Sequence, residues 1–302
     1  MKWKFIWLGF AFAFLWASAS TATKIALQSA QPFVIAVFRF FIAGIIMLLT
    51  AHGLMRKRLP QKKEWKHIII YGLLNVSIYL GLYVLAMQKV SAGLGTLAVG
   101  MNPVIINIMA AIVFRKRLAA AGILSLLLCC LGVFIAAWPL LQTSYASIDG
   151  IVLMLTSMIA YSAGAIYYSR TNWNGLDIIT INGWQTLLGG FFLLPVLFFT
   201  FNSNLNRYDF KFWGGILWLV IPVSILAVQC WMLLLKSNTA KAAYWLFLCP
   251  VFGFLIAWVF LKEPLSMYTL VGVVMVIAGL YIVQKYKIAD GYTDEKDGAD
   301  YH

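Results

Sequence analysis

Ten apolar runs, separated by short polar links, account for most of the chain. They lie at residues 5–23, 33–50, 68–86, 90–114, 118–141, 148–169, 178–201, 212–235, 242–261 and 265–283. Each has about 18 to 25 residues, the length with which an α-helix crosses a bilayer, and none alternates like a membrane β-strand. The pattern predicts an all-α integral membrane protein with ten transmembrane helices.

Composition supports a bilayer as the surrounding medium. Of 302 residues, 63% are hydrophobic and 11% are charged, whereas soluble domains carry about a quarter charged residues. A soluble protein of this size could not keep so much apolar surface away from water. We therefore expect the protein to be embedded in the lipid bilayer, which is its partner along most of the chain.

The net charge of +13 does not indicate nucleic-acid binding, because the basic residues follow the helix ends. With the N-terminus inside, 17 Lys and Arg residues fall at inside ends and 5 at outside ends. This is the positive-inside rule, which predicts that the N- and C-termini are both cytoplasmic. We expect a multi-pass protein of the cell (inner) membrane that binds no nucleic acid.

The chain contains an internal duplication. Residues 101–118 match residues 248–265, so that Pro103 falls on Pro250 and Ala110 on Ala257, 147 residues later. Each half holds five spans, an odd number, so the second half must enter the membrane from the opposite side. The sequence therefore predicts two inverted five-helix repeats, at residues 5–141 and 148–283, followed by a cytoplasmic polar tail at 284–302.

The duplication also bears on the first span and on motion. With an offset of 145, Trp16 falls on Tyr161, so we expect the first span to be retained rather than cleaved as a signal peptide. Inverted repeats with a site at their interface are typical of alternating-access transporters. Pro103 and Pro250 each break a backbone hydrogen bond inside a span and are hinge candidates, with a plain structural kink as the alternative.

Several short motifs occur in the same order in both halves. The first half has Leu15-Trp16, Arg39-Phe40 and Asn102-Pro103, and the second has Pro250-Val251 and Phe260 to Leu265. Together they resemble the EamA-type branch of the ten-helix drug/metabolite transporter superfamily, over residues 7–283. Two positions depart from the family pattern. Lys116 stands where a Glu is usual, so the Glu is present only in the second half, as Glu263. In the seventh span, Trp184 stands at the position that Arg39 has in the first repeat.

The resemblance implies a membrane carrier, often an exporter of amino acids or related metabolites. It also implies a central cavity lined by helices one, three, four, six, eight and nine, and we expect a monomer or a homodimer. By span membership and polarity, the cavity candidates are Trp16, Asn75, Tyr79, Tyr83, Asn102, Tyr161, Gln229 and Trp245.

Arg39 is a further substrate-binding candidate, because it is the one basic residue well inside a span. A charge at that depth is costly and should face the bundle interior, a partner or water. One interpretation is a site for a substrate carboxylate. The other is a structural Arg that donates to carbonyls at helix ends and holds two helices together.

The polar residues do not suggest catalysis. The histidines and carboxylates lie at span ends or in the tail, and the four cysteines have no metal-ligand spacing, so we expect no enzyme activity, cofactor or metal. Without a carboxylate inside a span, we expect facilitated diffusion or exchange, or coupling through Glu263 or Asp149. A channel or a scaffold without carrier activity is the alternative function.

Overall fold

The computed structural model describes residues 2–115, 120–143, 145–237 and 244–285. Within these ranges the chain is helical and has no strand beyond one isolated bridge between Val90 and Ala146. The predicted all-α membrane class is confirmed. Four sequence-based expectations lie outside the described residues: those on Lys116, on the start of the fifth span, on the start of the ninth span, and on the tail from residue 286.

The helices are numbered here in chain order. They are α1 (Lys2–Ala26), α2 (Pro32–Leu54), α3 (Lys62–Lys89), α4 (Ala92–Gly100), α5 (Asn102–Val113), α6 (Ala120–Leu141), α7 (Ile148–Arg170), α8 (Ile178–Thr200), α9 (Phe210–Trp218, continued by π-helical turns over Leu219–Ala227), α10 (Val228–Ser237), α11 (Leu248–Leu261) and α12 (Met267–Lys285).

Each of the ten predicted spans has a helical counterpart. Eight helices of the described chain are long and apolar enough to cross a bilayer, and the bent pair α4–α5 makes nine. The predicted ninth span corresponds to a shorter apolar helix, Trp245–Leu261. The fourth span is two helices with a 40° bend, and Pro103 lies in the first turn of the second. The bend falls where proline cannot continue the backbone hydrogen-bond ladder.

Two helices contain π-helical turns at matching positions, which the sequence analysis did not predict. They cover Leu73–Ile78 in α3 and Leu219–Ala227 after α9. Ser77 and Ser224 are 147 residues apart. The Ser224 hydroxyl donates to the carbonyl five residues earlier at 2.8 Å, whereas the Ser77 hydroxyl donates to the Gly189 carbonyl at 2.9 Å and lies 3.5 Å from the carbonyl five residues before it. Pro222 lies inside the second segment and removes one backbone donor there. Such bulges leave carbonyls available to side chains.

Helix packing has a pairwise pattern. Helix α6 packs on α12, α2 on α8, and α4 on α11. Helix α1 packs against α9, α10 and α11, while α7 packs against α3 and α5. When the two halves are exchanged, the α6–α12 and α2–α8 contacts map onto themselves, and the contacts of α1 with α9, α10 and α11 map onto those of α7 with α3 and α5.

The α6–α12 contact brings two backbones together. A Cβ on Gly272 would lie 2.4 Å from the Gly132 carbonyl oxygen, and one on Gly132 would lie 2.7 Å from the Gly272 oxygen. Glycine is therefore needed on both sides, as is common where helices meet closely in lipid.

The outer surface of the bundle is apolar. Phe198, Phe199 and Phe210 are at least 80% exposed, and many other large apolar side chains face outward with them. A surface of this kind is stable only in contact with lipid tails. Together with the long apolar helices, it makes this chain a multi-pass membrane protein.

Candidate functional site

A group of tyrosines and hydroxyls lies between helices of both halves. The Tyr79 ring is 4.9 Å from the Tyr161 ring and 6.1 Å from the Tyr83 ring. The Tyr83 hydroxyl is 2.7 Å from the Ser20 hydroxyl, which accepts from Thr96 at 2.9 Å. The structure therefore brings together three of the predicted cavity residues, with α1, α3, α4 and α7 supplying the side chains.

Arg39 reaches from α2 to the π-helical turns after α9. Its Nε and one terminal nitrogen both donate to the Ser224 hydroxyl, at 3.4 Å and 3.3 Å, and its guanidinium lies 5.6 Å from the centre of the Phe40 ring. Over residues 2–115, 120–143, 145–237 and 244–285, no carboxylate pairs with it and no backbone carbonyl accepts from it. Its observed partner thus differs from the helix-end carbonyls of the structural interpretation.

A small void lies beside Arg39. It is lined by Arg39, Thr23 and Tyr83, together with apolar side chains that include Ile35 and Leu219. Its volume is about 10 Å³, close to the lower limit for one water molecule. This conformation therefore has no room for a metabolite at Arg39, and the helices around it must separate to admit one.

Asn75 belongs to a separate polar group. Its amide donates to Gln185 on α8 at 3.2 Å, and Gln185 donates to Asn182 at 3.1 Å. Gln185 is only 5% exposed, and the sequence analysis did not select it. A buried amide in an apolar span is the signal that could have identified it, since such a group needs hydrogen-bond partners.

The remaining candidates lie elsewhere in the bundle. Trp16 and Trp245 belong to an apolar cluster of α1, α10 and α11, where Trp245 packs 5.1 Å from the Phe10 ring. Asn102 is 6% exposed, and its Oδ1 atom has no hydrogen-bond partner among the described residues. Gln229 has an exposed side chain on α10. No hydrogen bond or ring contact joins these four to the three tyrosines within the part of the chain that the structure describes.

Glu263 and Asp149 both make contacts between helices at the end where α1 ends, called here the far end. The Glu263 carboxylate is 4% exposed and accepts from the backbone N–H groups of Ala92 and Gly93, at 2.6 Å and 3.1 Å. It therefore caps the N-terminus of α4. Asp149 forms an ion pair with Lys89, which joins the end of α3 to the start of α7.

Pairs of loops contact each other at both ends of the bundle. At the end where α1 begins, called here the basic end, Lys57 pairs with Asp177 at 2.8 Å, and Arg58 holds both Glu64 and the Asn174 carbonyl. These contacts connect the α2–α3 loop to the α7–α8 loop.

The corresponding contact at the far end uses neutral amides. The Gln31 backbone N–H donates to the Asn206 side-chain oxygen at 2.9 Å. The Gln31 side-chain oxygen accepts from the Asn202 backbone N–H at 2.8 Å and from the Asn206 amide at 2.9 Å. These bonds connect the α1–α2 loop to the α8–α9 loop, which are the counterparts of the loops at the basic end.

Comparison with known protein families shows which family the chain belongs to. A model of the EamA-like transporter family matches residues 3–138 and 148–284. The chain belongs to the EamA-like transporter family. The resemblance found from the order of short motifs is therefore confirmed.

Members of the family with similar sequences include three bacterial or archaeal proteins. An uncharacterized transporter of Synechocystis is 25% identical, covering 90% of this chain and 87% of its own. An uncharacterized transporter of Archaeoglobus fulgidus is 28% identical, covering 89% and 94%. Protein PecM of Dickeya dadantii is 26% identical, covering 89% of each chain.

A solved crystal structure has a similar fold. It aligns with a TM-score of 0.66 over 94% of this chain and 97% of its own, at 17% sequence identity. At that identity the similarity concerns the fold alone.

Proposed function

We propose that this chain is a carrier that moves a small metabolite by alternating access between two inverted five-helix repeats, at residues 5–141 and 148–283. Its substrate is an amino acid or a related compound, and its direction is export from the cell. It lies in the cell (inner) membrane with both termini in the cytoplasm, where the tail at 284–302 also lies. It acts as a monomer or a homodimer, without enzyme activity.

The exchange symmetry of the packing is the observation that carries this proposal. The contact of α1 with α9 and α10 corresponds to the contact of α7 with α3, and both sets include one of the matched π-helical segments. A fold in which each half repeats the contacts of the other can exchange their two conformations, which moves the opening from one side to the other.

The loops and the broken helix supply the parts that such a cycle needs. One loop pair closes each end, and opening only one pair at a time would expose the interior to one side. The 40° bend before Pro103, and Pro250 at the matching position, are the proposed hinges.

A counterflow assay tests the carrier. The purified full chain is placed in liposomes loaded with one unlabelled amino acid, and transient accumulation of the same labelled amino acid is followed across a panel. A carrier gives an overshoot that saturates with concentration. A channel gives equilibration without overshoot, and a scaffold gives no flux, so either result would refute the proposal.

A further inference from the structure

We infer that Arg39 binds the carboxylate of the transported metabolite, with the side chains of Thr23 and Tyr83 beside it; this inference rests on the proposed function. The three side chains line one void between α1, α2 and α3, called here the Arg39 site. The substrate class is therefore an anion or a zwitterion with a free carboxylate.

The guanidinium has unused binding capacity. It carries five N–H donors in a planar fork, and its two observed hydrogen bonds go to one hydroxyl at 3.3 to 3.4 Å. That is the long end of the range for such bonds. A fork of this geometry matches the two oxygens of a carboxylate, which would accept shorter and charge-assisted bonds.

The charge of Arg39 also has no counter-ion among the residues that the structure describes. It lies about two turns from the far end of α2, inside an apolar span, and the described residues place no carboxylate within ion-pair distance. A hydroxyl and the face of Phe40 compensate a cation only in part. An uncompensated cation in a low-dielectric interior strongly favours an anion as its ligand.

Tyr83 can contribute a donor to the same anion. Thr96 donates to Ser20 at 2.9 Å, and the Ser20 proton can then go to the Tyr83 oxygen at 2.7 Å. This arrangement leaves the phenolic proton of Tyr83 for an acceptor in the void. A neutral substrate amide in this position would offer Tyr83 and the Arg39 cation only an uncharged oxygen, which is a weaker acceptor than a carboxylate.

Binding at this site is connected to the moving parts. A carboxylate on Arg39 would replace Ser224, whose hydroxyl also donates to the Leu219 carbonyl in the π-helical turns of the second half. Because the void of about 10 Å³ cannot hold a carboxylate, binding has to separate α2 from that segment. Substrate binding and the rearrangement between halves thus share one contact.

The first test compares acids with their amides. Counterflow is measured for the proteinogenic amino acids and for the matching amino acid amides, with wild type, Arg39→Gln, Arg39→Lys and Arg207→Gln in liposomes. We expect wild type and Arg207→Gln to prefer acids, Arg39→Gln to lose roughly 10- to 100-fold of acid transport, and Arg39→Lys to recover part of it. Equal transport of amides by wild type, or an Arg39→Gln protein that matches Arg207→Gln, would overturn the inference.

The second test needs no variant and no transport. Wild-type protein is treated with phenylglyoxal, which modifies guanidinium groups, and the modification of Arg39 is followed by peptide mass mapping. Amino acids should slow modification of Arg39 but not of Arg207, and amino acid amides should slow neither. Absence of this protection by every acid overturns the inference.

The two tests separate the inference from the proposed function. Protection of Arg39 without counterflow supports an anion site and refutes the carrier. Counterflow without protection, or without a preference for acids, supports the carrier and refutes the Arg39 site.

Discussion

Replacing Glu263 by alanine should destabilise the protein substantially, because this carboxylate accepts from the first two backbone N–H groups of α4, while the Ser91 side chain accepts only from Leu94. Glu263 is 4% exposed and accepts from two backbone N–H groups, at 2.6 Å and 3.1 Å. A hydrogen bond to a charged group contributes about 1.5 to 3 kcal/mol, and a buried N–H left unpaired costs about 1 to 3 kcal/mol. For two bonds that are partly replaced by water, we expect a loss of about 3 kcal/mol.

The measurement is equilibrium unfolding in mixed micelles, which gives the free energy of unfolding for each variant. Glu263→Gln keeps one oxygen acceptor and should lose less than Glu263→Ala. Asp149→Ala is the control, since its ion pair with Lys89 is exposed and such pairs contribute little. If Glu263→Ala lowers the free energy of unfolding no more than Asp149→Ala does, the capping role assigned to Glu263 is wrong.

Three further predictions concern packing, hinges and coupling. Gly272→Leu should prevent α12 from approaching α6, because even a Cβ would lie 2.4 Å from a backbone oxygen there; the yield of monodisperse protein should fall sharply. Pro103→Ala combined with Pro250→Ala should slow exchange in the counterflow assay, since both restore a backbone donor at a proposed hinge. An imposed pH gradient should drive no steep uphill uptake in the Glu263→Gln, Asp149→Asn protein.

Each of these has a result that contradicts it. Gly214→Leu is the control for packing, because nothing lies within 4 Å of the position of its Cβ, and equal losses would count against the close approach. Unchanged exchange rates in the double proline variant would leave the bends as plain kinks. Steep uphill uptake that survives both carboxamide substitutions would contradict facilitated diffusion, exchange, or coupling through these two residues.

The fold class was predictable because lipid imposes one strong rule: apolar runs of the right length become helices. The bend in the fourth span was also predictable, since Pro103 removes a donor that the helix needs. The π-helical turns were not. A serine in each segment bonds to a partner far along the chain, Ser77 to the Gly189 carbonyl at 2.9 Å and Ser224 to Arg39 at 3.3 Å, and the local sequence does not show which residues these partners are.

The site was predictable only in part for a similar reason. Tyr79, Tyr83 and Tyr161 were selected by span and polarity, and the structure brings them together. Trp245 was selected on the same grounds but packs against α1, because an aromatic side chain on a helix faces lipid, a neighbour or a cavity according to how that helix is rotated. Span membership does not determine rotation.

The paired glycines of α6 and α12 indicate which helices stay together in the proposed cycle. Two backbones in direct contact cannot slide past each other without a clash, so we expect α6 and α12 to stay in place while the other spans move. A covalent bridge between α6 and α12 would leave transport intact. A bridge between positions 57 and 177, whose side chains form an ion pair at the basic end, should arrest the proposed carrier in a single state.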